Sequence, residues 1–328
     1  MKHLLRDPIE GGDTIKKCKT STQIVFLKTH KTGSSTVASI FQRFGFSHNL
    51  SFVIPRHGHM FSIIELFNRS FAEPNQKYDM LVNHVRYNRK EMDTVMKPDT
   101  KYITILRDPA TQAESMFGYF KIYKYLNMSK NSNPFARFLH RPQHYMNEYK
   151  SFKMREHLQN PTLYDLGFET SKYLNRTQIQ YFIENLSHEF DLVLLQEYFN
   201  ESLILLKKLL CWDMDDIVYI SKGVRINKLR FGQSNRLKKK ARDWNSADTI
   251  LYDFFNKTFW KKVSEYGPDF EKDLNLFEKK LNKTFYNCII SDEKRKVFHR
   301  SYTYALKPGS GIKCEMLLWT DIMFLLER

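Results

Sequence analysis

Three cationic or basic side chains, each just past a short apolar run, are the residues of this chain best suited to chemistry on an anion. Lys31 lies in Gln23–Thr36, QIVFLKTHKTGSST, where Ile24–Leu27 leads into a small, hydroxyl-rich loop and then an amphipathic segment. His84 follows Met80-Leu81-Val82, and Arg107 follows Tyr102–Leu106. A loop that passes from a strand into a helix start gathers free backbone N–H groups at the positive end of the helix dipole, a site for a phosphate. The loop is not the G-x-x-x-x-G-K-[ST] form of nucleoside triphosphatases, because its lysine precedes the glycine.

The elements that must hold these residues follow from the pattern. Ile24–Leu27, Met80–Val82, Tyr102–Leu106 and Leu192–Leu195 are short and apolar on both faces, as strands of a covered parallel sheet must be. Val37, Ile40, Phe41 and Phe44 fall on one helical face that Gly45 is expected to terminate. A second helix carries Ala113, Met116, Phe117 and Phe120, and a third covers Ser202–Leu210. Alternating runs and helices predict an α/β fold with a central parallel sheet flanked by helices. After Trp212 the pattern turns helical and basic, through Lys238-Lys239-Lys240, Phe254–Val263 and Asp269–Leu281. Residues 1–20 read as a linker or frayed end, and 21–328 as a single domain without repeats. Ligands of parallel α/β sheets bind beyond the carboxyl ends of the strands, so Lys31, His84 and Arg107 can converge there.

Composition sets the surroundings. The 328 residues carry 52 Lys and Arg against 36 Asp and Glu, a net charge of +16 that predicts anionic ligands or surfaces. No zinc-finger, RNP or basic-zipper signature supports nucleic acid as a partner. Cys18, Cys211, Cys288 and Cys314 lack C-x-x-C spacing, which leaves disulfides and isolated thiols both open. N-x-[ST] sequons stand at Asn49, Asn68, Asn127, Asn175, Asn185, Asn200, Asn256 and Asn282. With 20 Asn and 40 Ser plus Thr in the chain, chance gives about two or three, so the excess points to the secretory pathway. Asn200 could instead cap a helix. No segment reaches 18 consecutive apolar residues, and residues 1–22 lack a signal-peptide core.

Together, Lys28–Thr36, Asn83-His84-Val85-Arg86 and Arg107-Asp108-Pro109 with Ser115 resemble the Golgi sulfotransferases that use 3′-phosphoadenosine 5′-phosphosulfate (PAPS). Within that group, Phe26–Thr36, Leu194–Phe199, Cys211-Trp212 and Phe259–Val263 are similar to the galactose-3-O-sulfotransferase family. The resemblance implies a P-loop-like fold with a helical C-terminal part. It assigns Lys31, Thr32, Gly33, Ser34, Ser35 and Thr36 to the 5′-phosphosulfate, with Lys28 in a lesser role, and Arg107 and Ser115 to the 3′-phosphate. Some relatives carry a further arginine where Thr111 and Gln112 stand here, a departure that bears on the strength of the 3′-phosphate site and not on its place. His84 maps onto the general base and Lys31 onto the group that neutralises the leaving oxygen. The implied reaction moves the sulfuryl group of PAPS to the 3-hydroxyl of a terminal β-galactose, leaving 3′,5′-adenosine bisphosphate (PAP). A galactosylceramide-like glycolipid is the first acceptor expected and a glycan galactoside the second.

Arg56, His57, His59 and Arg86 are secondary candidates for acceptor contact, with His57 and His59 also rival bases. No metal is expected, because H-E-x-x-H and clustered Cys/His ligands are missing from the sequence. The resemblance also implies a Golgi-lumenal, type II membrane protein whose anchor lies outside the given chain. Three rival readings remain at this level. They are a P-loop kinase, a non-catalytic basic glycan-binding protein, and a sulfotransferase with a polysaccharide acceptor.

Overall fold

The structure, a computed structural model, describes residues 18–55, 60–129, 132–148, 155–222, 224, 225, 227, 230–297 and 301–326. Four apolar runs form the expected sheet. Strands β1 (Ile24–Leu27), β2 (Met80–Leu81), β3 (Lys101–Leu106) and β4 (Leu192–Leu195) are all parallel, in the order β2-β1-β3-β4. Every residue of β1 is fully buried, which at about 1.5–3 kcal/mol per large apolar side chain makes this strand the centre of the core. The chain steps from β1 to β2 on one side and then to β3 on the other. That reversal opens a crevice between the carboxyl ends of β1 and β3.

Helix α1 (Ser34–Ser47) follows β1 and packs Phe41 against Phe26 at 5.1 Å between ring centroids, while Phe44 stacks on Trp212 at 3.7 Å. Gly45 does not end this helix, as its position had suggested. It sits inside, because a Cβ there would lie 2.3 Å from the Phe52 ring. The glycine is required for close approach and not for a left-handed turn.

Helix α2 (Arg89–Asp93) separates β2 from β3, and α3 (Pro109–Tyr119) follows β3. Asp108 caps α3, its carboxylate accepting from Ala110 N (3.0 Å) and Thr111 N (3.2 Å), with Pro109 at the first helical position. Between β3 and β4 come α4 (Ile122–Tyr125), α5 (Pro134–His140), α6 (Pro142–Glu148), α7 (Pro161–Asp165) and α8 (Arg176–Glu189). After β4, α9 (Phe199–Leu210) leads to the short strand β5 (Val224–Arg225) and helices α10 (Asn235–Trp244), α11 (Ser246–Tyr266) and α12 (Asp269–Cys288).

The helical character expected near the C-terminus therefore holds for α10–α12. It gives way afterwards to β6 (Ile289–Val297) and β7 (Ser301–Leu306), which join β5 in an antiparallel sheet of order β5-β7-β6. Helices α13 (Ile312–Leu318) and α14 (Asp321–Leu326) then pack back on α1.

All four cysteines are paired, Cys18 with Cys211 and Cys288 with Cys314. Residues 18–20 are thus tied to the end of α9 and are no free linker. Asn200 is not a helix cap, since Tyr198 precedes the helix; its amide instead donates to Glu278 and accepts from the Tyr219 hydroxyl. Among the described residues no helix is long and apolar enough to cross a membrane.

Replacing Gly45 with alanine should destabilise the fold by about 1–3 kcal/mol, the cost of overpacking a filled core. A thermal melt of G45A showing an unchanged midpoint would contradict the close approach of Phe52.

Candidate functional site

The turn after β1 is built from backbone conformations that few residues adopt. Lys31 has φ +60° and Gly33 φ +82°, so a non-glycine residue is held in the left-handed region, as happens at functional turns. A Cβ at Gly33 would press on Gln196 and Phe199 at 3.4 and 3.5 Å. Thr29 Oγ1 donates to Ile105 O (2.6 Å), Ser34 Oγ to Thr29 O (2.6 Å), and Gln112 Nε2 to His30 O (2.8 Å). These bonds fix the loop that leads into α1, a helix start of the kind that suits an anion.

That turn opens into a cavity of about 940 Å³ lined by Lys31, His84 and Arg107 together. Residues 53, and 76, positions apart in sequence thus share one wall system, because parallel strands deliver their carboxyl ends to the same side. Ser34, Ser35 and Thr36 line it from α1, Thr111 and Ser115 from α3, and Tyr219, Lys222, Arg225, Arg230 and Gln233 from around β5. Thr32 is the exception in the loop. It is fully buried and its hydroxyl is bonded to Thr29, so it shapes the turn and does not face the cavity.

His84 has a defined tautomer. Its Nδ1–H donates to Lys28 O at 2.7 Å, which leaves Nε2 with the lone pair of a base. Burial, then His30 and Lys28, push its pKa well below the ordinary 6.5, against an upward pull from Asp165 and the Lys28 carbonyl. The ring is therefore neutral near pH 7. Lys31 Nζ lies over the Tyr119 ring at 3.4 Å, a cation–π contact that holds the ammonium along the cavity wall. Arg107 uses Nε on Thr111 Oγ1 (2.9 Å) and Nη1 on Lys31 O (3.1 Å). It braces the loop as well as facing the cavity. Thr111 and Gln112 add no charge, since one accepts from Arg107 and the other spans His30 O and the Thr162 hydroxyl.

Several lining groups had no local signal in the sequence. Glu114 is buried against Arg225 (2.5 Å) and accepts from Phe231 N (2.6 Å), so helix α3 clamps the β5 segment over the site. Lys28, read as a phosphate contact, lines the cavity but pairs at 2.5 Å with Asp321 of α14. Lys222 donates to Trp319 O, and burial lowers its pKa to about 7. Asp321 lies below the usual carboxylate range although burial opposes this, because Lys28 and Gln42 outweigh it. Each pairing joins partners 97–293 residues apart, a distance no motif spans.

Arg86 is not at the cavity. Its guanidinium donates to the carbonyls of Tyr164, Ile64 and Phe168 and covers the Tyr164 ring at 3.9 Å. It is a clamp between the segment after β2 and α7. Arg56, His57 and His59 lie outside the described residues.

Behind His84 lies a buried cluster. The His30 ring stacks on His84 with centroids 4.4 Å apart and 21° between planes. His30 Nδ1–H donates to Asp165 at 2.9 Å, its backbone N–H reaches the second carboxylate oxygen at 2.8 Å, and His157 Nε2–H donates at 3.1 Å. These residue types can ligate metals, but here their facing atoms are spent on hydrogen bonds to one another. Burial alone would raise the Asp165 pKa; His30 and His157 outweigh it and hold the group well below the carboxylate range. Burial also lowers that of His157, whose Nδ1 has no partner.

Comparison with known proteins agrees with this architecture. The family model described as galactose-3-O-sulfotransferase matches residues 4–309. Galactosylceramide sulfotransferase of Mus musculus is 37% identical over 256 residues, covering 77% of this chain and 60% of that protein. Galactose-3-O-sulfotransferase 3 of Mus musculus is 38% identical over 250 residues, 74% of this chain and 58% of its own length. Galactose-3-O-sulfotransferase 2 of Mus musculus is 30% identical over 306 residues, 90% and 77% respectively. The chain thus spans about three fifths of the first two relatives. A match over nearly the whole chain, on a parallel sheet whose strand ends converge on one basic cavity, means that the chain belongs to the galactose-3-O-sulfotransferase family.

Proposed function

We propose that this chain transfers the sulfuryl group of PAPS to the 3-hydroxyl of a terminal β-galactose, on a galactosylceramide-like glycolipid or a glycan. The observation that carries the reading is the meeting of Lys31, His84 and Arg107 around one cavity of about 940 Å³. The donor set fits a bisphosphorylated nucleotide. Lys31, Arg107, Arg225 and Arg230 line the cavity, and its two carboxylates, Glu114 and Asp321, are already matched to Arg225 and Lys28.

PAPS supplies the activated sulfuryl group. Ser34, Ser35, Thr36 and the N–H groups at the start of α1 hold its 5′ end, with Lys28 at the margin through its Asp321 pair. Arg107 and Ser115 hold the 3′-phosphate, Arg107 through the donors that it does not spend on Thr111 and Lys31. His84 Nε2 takes the proton of the acceptor hydroxyl as its oxygen forms the new O–S bond. The old S–O bond breaks with its electron pair leaving on PAP, and Lys31 offsets the charge that develops there. Five sequon asparagines (Asn49, Asn68, Asn127, Asn175 and Asn282) are exposed, and the disulfides link all four cysteines. Both support function in the oxidising lumen of the Golgi.

Thermal shift with PAP, followed by transfer of labelled sulfate from PAPS to a panel of galactosides, tests the reading. Stabilisation by PAP without transfer to any sugar would favour a binding protein, and transfer to polysaccharides alone would move the acceptor class. His84→Ala and Lys31→Ala should each lower turnover by about two to four decades; near-normal turnover in H84A removes its role. Arg107→Ala should weaken PAP binding in calorimetry. For pH, the lowered His84 pKa keeps the base unprotonated in mild acid, so the acid limb of kcat/KM should fall below the ordinary imidazole value of 6.5. A limb at or above that value would mean that His84 is not the base.

A further inference from the structure

The cluster behind His84 has a role that neither loop nor strand chemistry uses. Asp165 is 3% exposed and His157 2%, far too buried to be surface decoration. A carboxylate is retained in such a place only if hydrogen bonds and nearby charge compensate its desolvation. Here three donors do so, and two belong to His30, whose ring lies flat on His84. Asp165 ends α7, and α7 is itself fixed by Asp248 of α11, which accepts from Thr162 N (2.9 Å) and Leu163 N (2.8 Å). The carboxylate therefore has little freedom to move.

Resting on the sulfotransfer reading above, we propose that Asp165 is a positioning residue for His84. Held by His157, it fixes the His30 ring on which His84 stacks and supplies the counter-charge for the proton that His84 takes from the acceptor hydroxyl. The logic is that of an acid behind a catalytic imidazole, transmitted through a stacked ring in place of a direct hydrogen bond. The direct position is unavailable, because His84 Nδ1–H is already committed to Lys28 O. The other groups facing His84 are cationic or imidazole: Lys28 from the end of β1, itself neutralised by Asp321, and His30 from the loop. On the far side, His157 faces Asp165, and the Arg86 charge acts on His157. Asp165 is thus the one carboxylate among these groups not matched to a lysine. Its field raises the proton affinity of His84, in opposition to burial, His30 and Lys28.

The test compares the full chain with Asp165→Asn, an isostere that can still accept a hydrogen bond but lacks the charge. Carbon-13 histidine labelling, with His84 identified by its loss in H84Q, reads the His84 titration in protein saturated with PAP. The titration should move to lower pH by about one unit in D165N. In parallel, the acid limb of kcat/KM should move the same way and kcat should fall about 10- to 100-fold, with PAP affinity unchanged. Asp165→Glu, which restores the charge, should recover part of both. A His84 titration and acid limb that stay in place in folded D165N would overturn the proposal. If circular dichroism shows D165N unfolded, His30→Gln takes its place, since it keeps a donor for Asp165 and removes the stacked ring. A tenfold or greater fall in kcat with PAP affinity kept supports the relay, and unchanged kcat ends it. A wild-type chain that moved no sulfate would defeat the sulfotransfer reading, while the His84 titration would still decide whether Asp165 and His84 are coupled.

Discussion

The parallel pairing of β1 with both β2 and β3 is the constraint on which the site depends. Parallel strands release all their carboxyl ends on one side of the sheet. With β1 central, the phosphate-type loop after it has the His84 segment on one flank and Arg107 on the other. The convergence needs no long-range recognition between those residues. It follows from strand order alone, and the fully buried Ile24–Leu27 supplies the apolar contacts that hold the order in place.

Gathering cations in a cavity has an electrostatic cost, and the structure meets it locally. Glu114 neutralises Arg225, and Asp321 neutralises Lys28. What remains is asymmetric. Lys31 is turned along the wall by Tyr119, and Arg107 spends only part of its fork on protein oxygens. Arg107 therefore keeps part of its fork for the cavity, and hydrogen bonds from a guanidinium to an anion are among the stronger ones.

Much of this was legible in the sequence, and what was not has specific causes. The four strands could be read because each is a short, largely apolar run, and Lys31, His84 and Arg107 because each follows such a run within four positions. Gly45 was misread because a glycine in a helix can serve space as well as dihedral angle, and only Phe52 decides which. The β5-β7-β6 sheet escaped notice because Ser291–Lys296 is wholly polar and carries no period-two apolar signal. Arg86 resembled a ligand because it stands two positions from His84, yet its guanidinium is taken up by the carbonyls of Tyr164, Ile64 and Phe168, partners that no local pattern announces. Asp165 could not be found at all, since its partners His30 and His157 lie in different elements and its own surroundings, Leu-Tyr-Asp-Leu-Gly, form no motif.

These misses share one physical origin. Sequence patterns report what a residue does for its own element, whereas buried charge is matched between elements. Lys28 meets Asp321 across 293 positions and Arg225 meets Glu114 across 111. Each such pair also binds a late segment of the chain to the early sheet, so electrostatic matching and tertiary closure are a single event. The antiparallel sheet and α14 then become part of the site's construction, because without Asp321 the Lys28 ammonium would stand buried and unmatched beside the loop. A buried cation left in that state is destabilising by several kcal/mol. The dependence runs in the other direction as well: α14 makes its polar contact with the core at Lys28 and Gln42, so the end of β1 and the helix after it also anchor the segment that covers the loop between them.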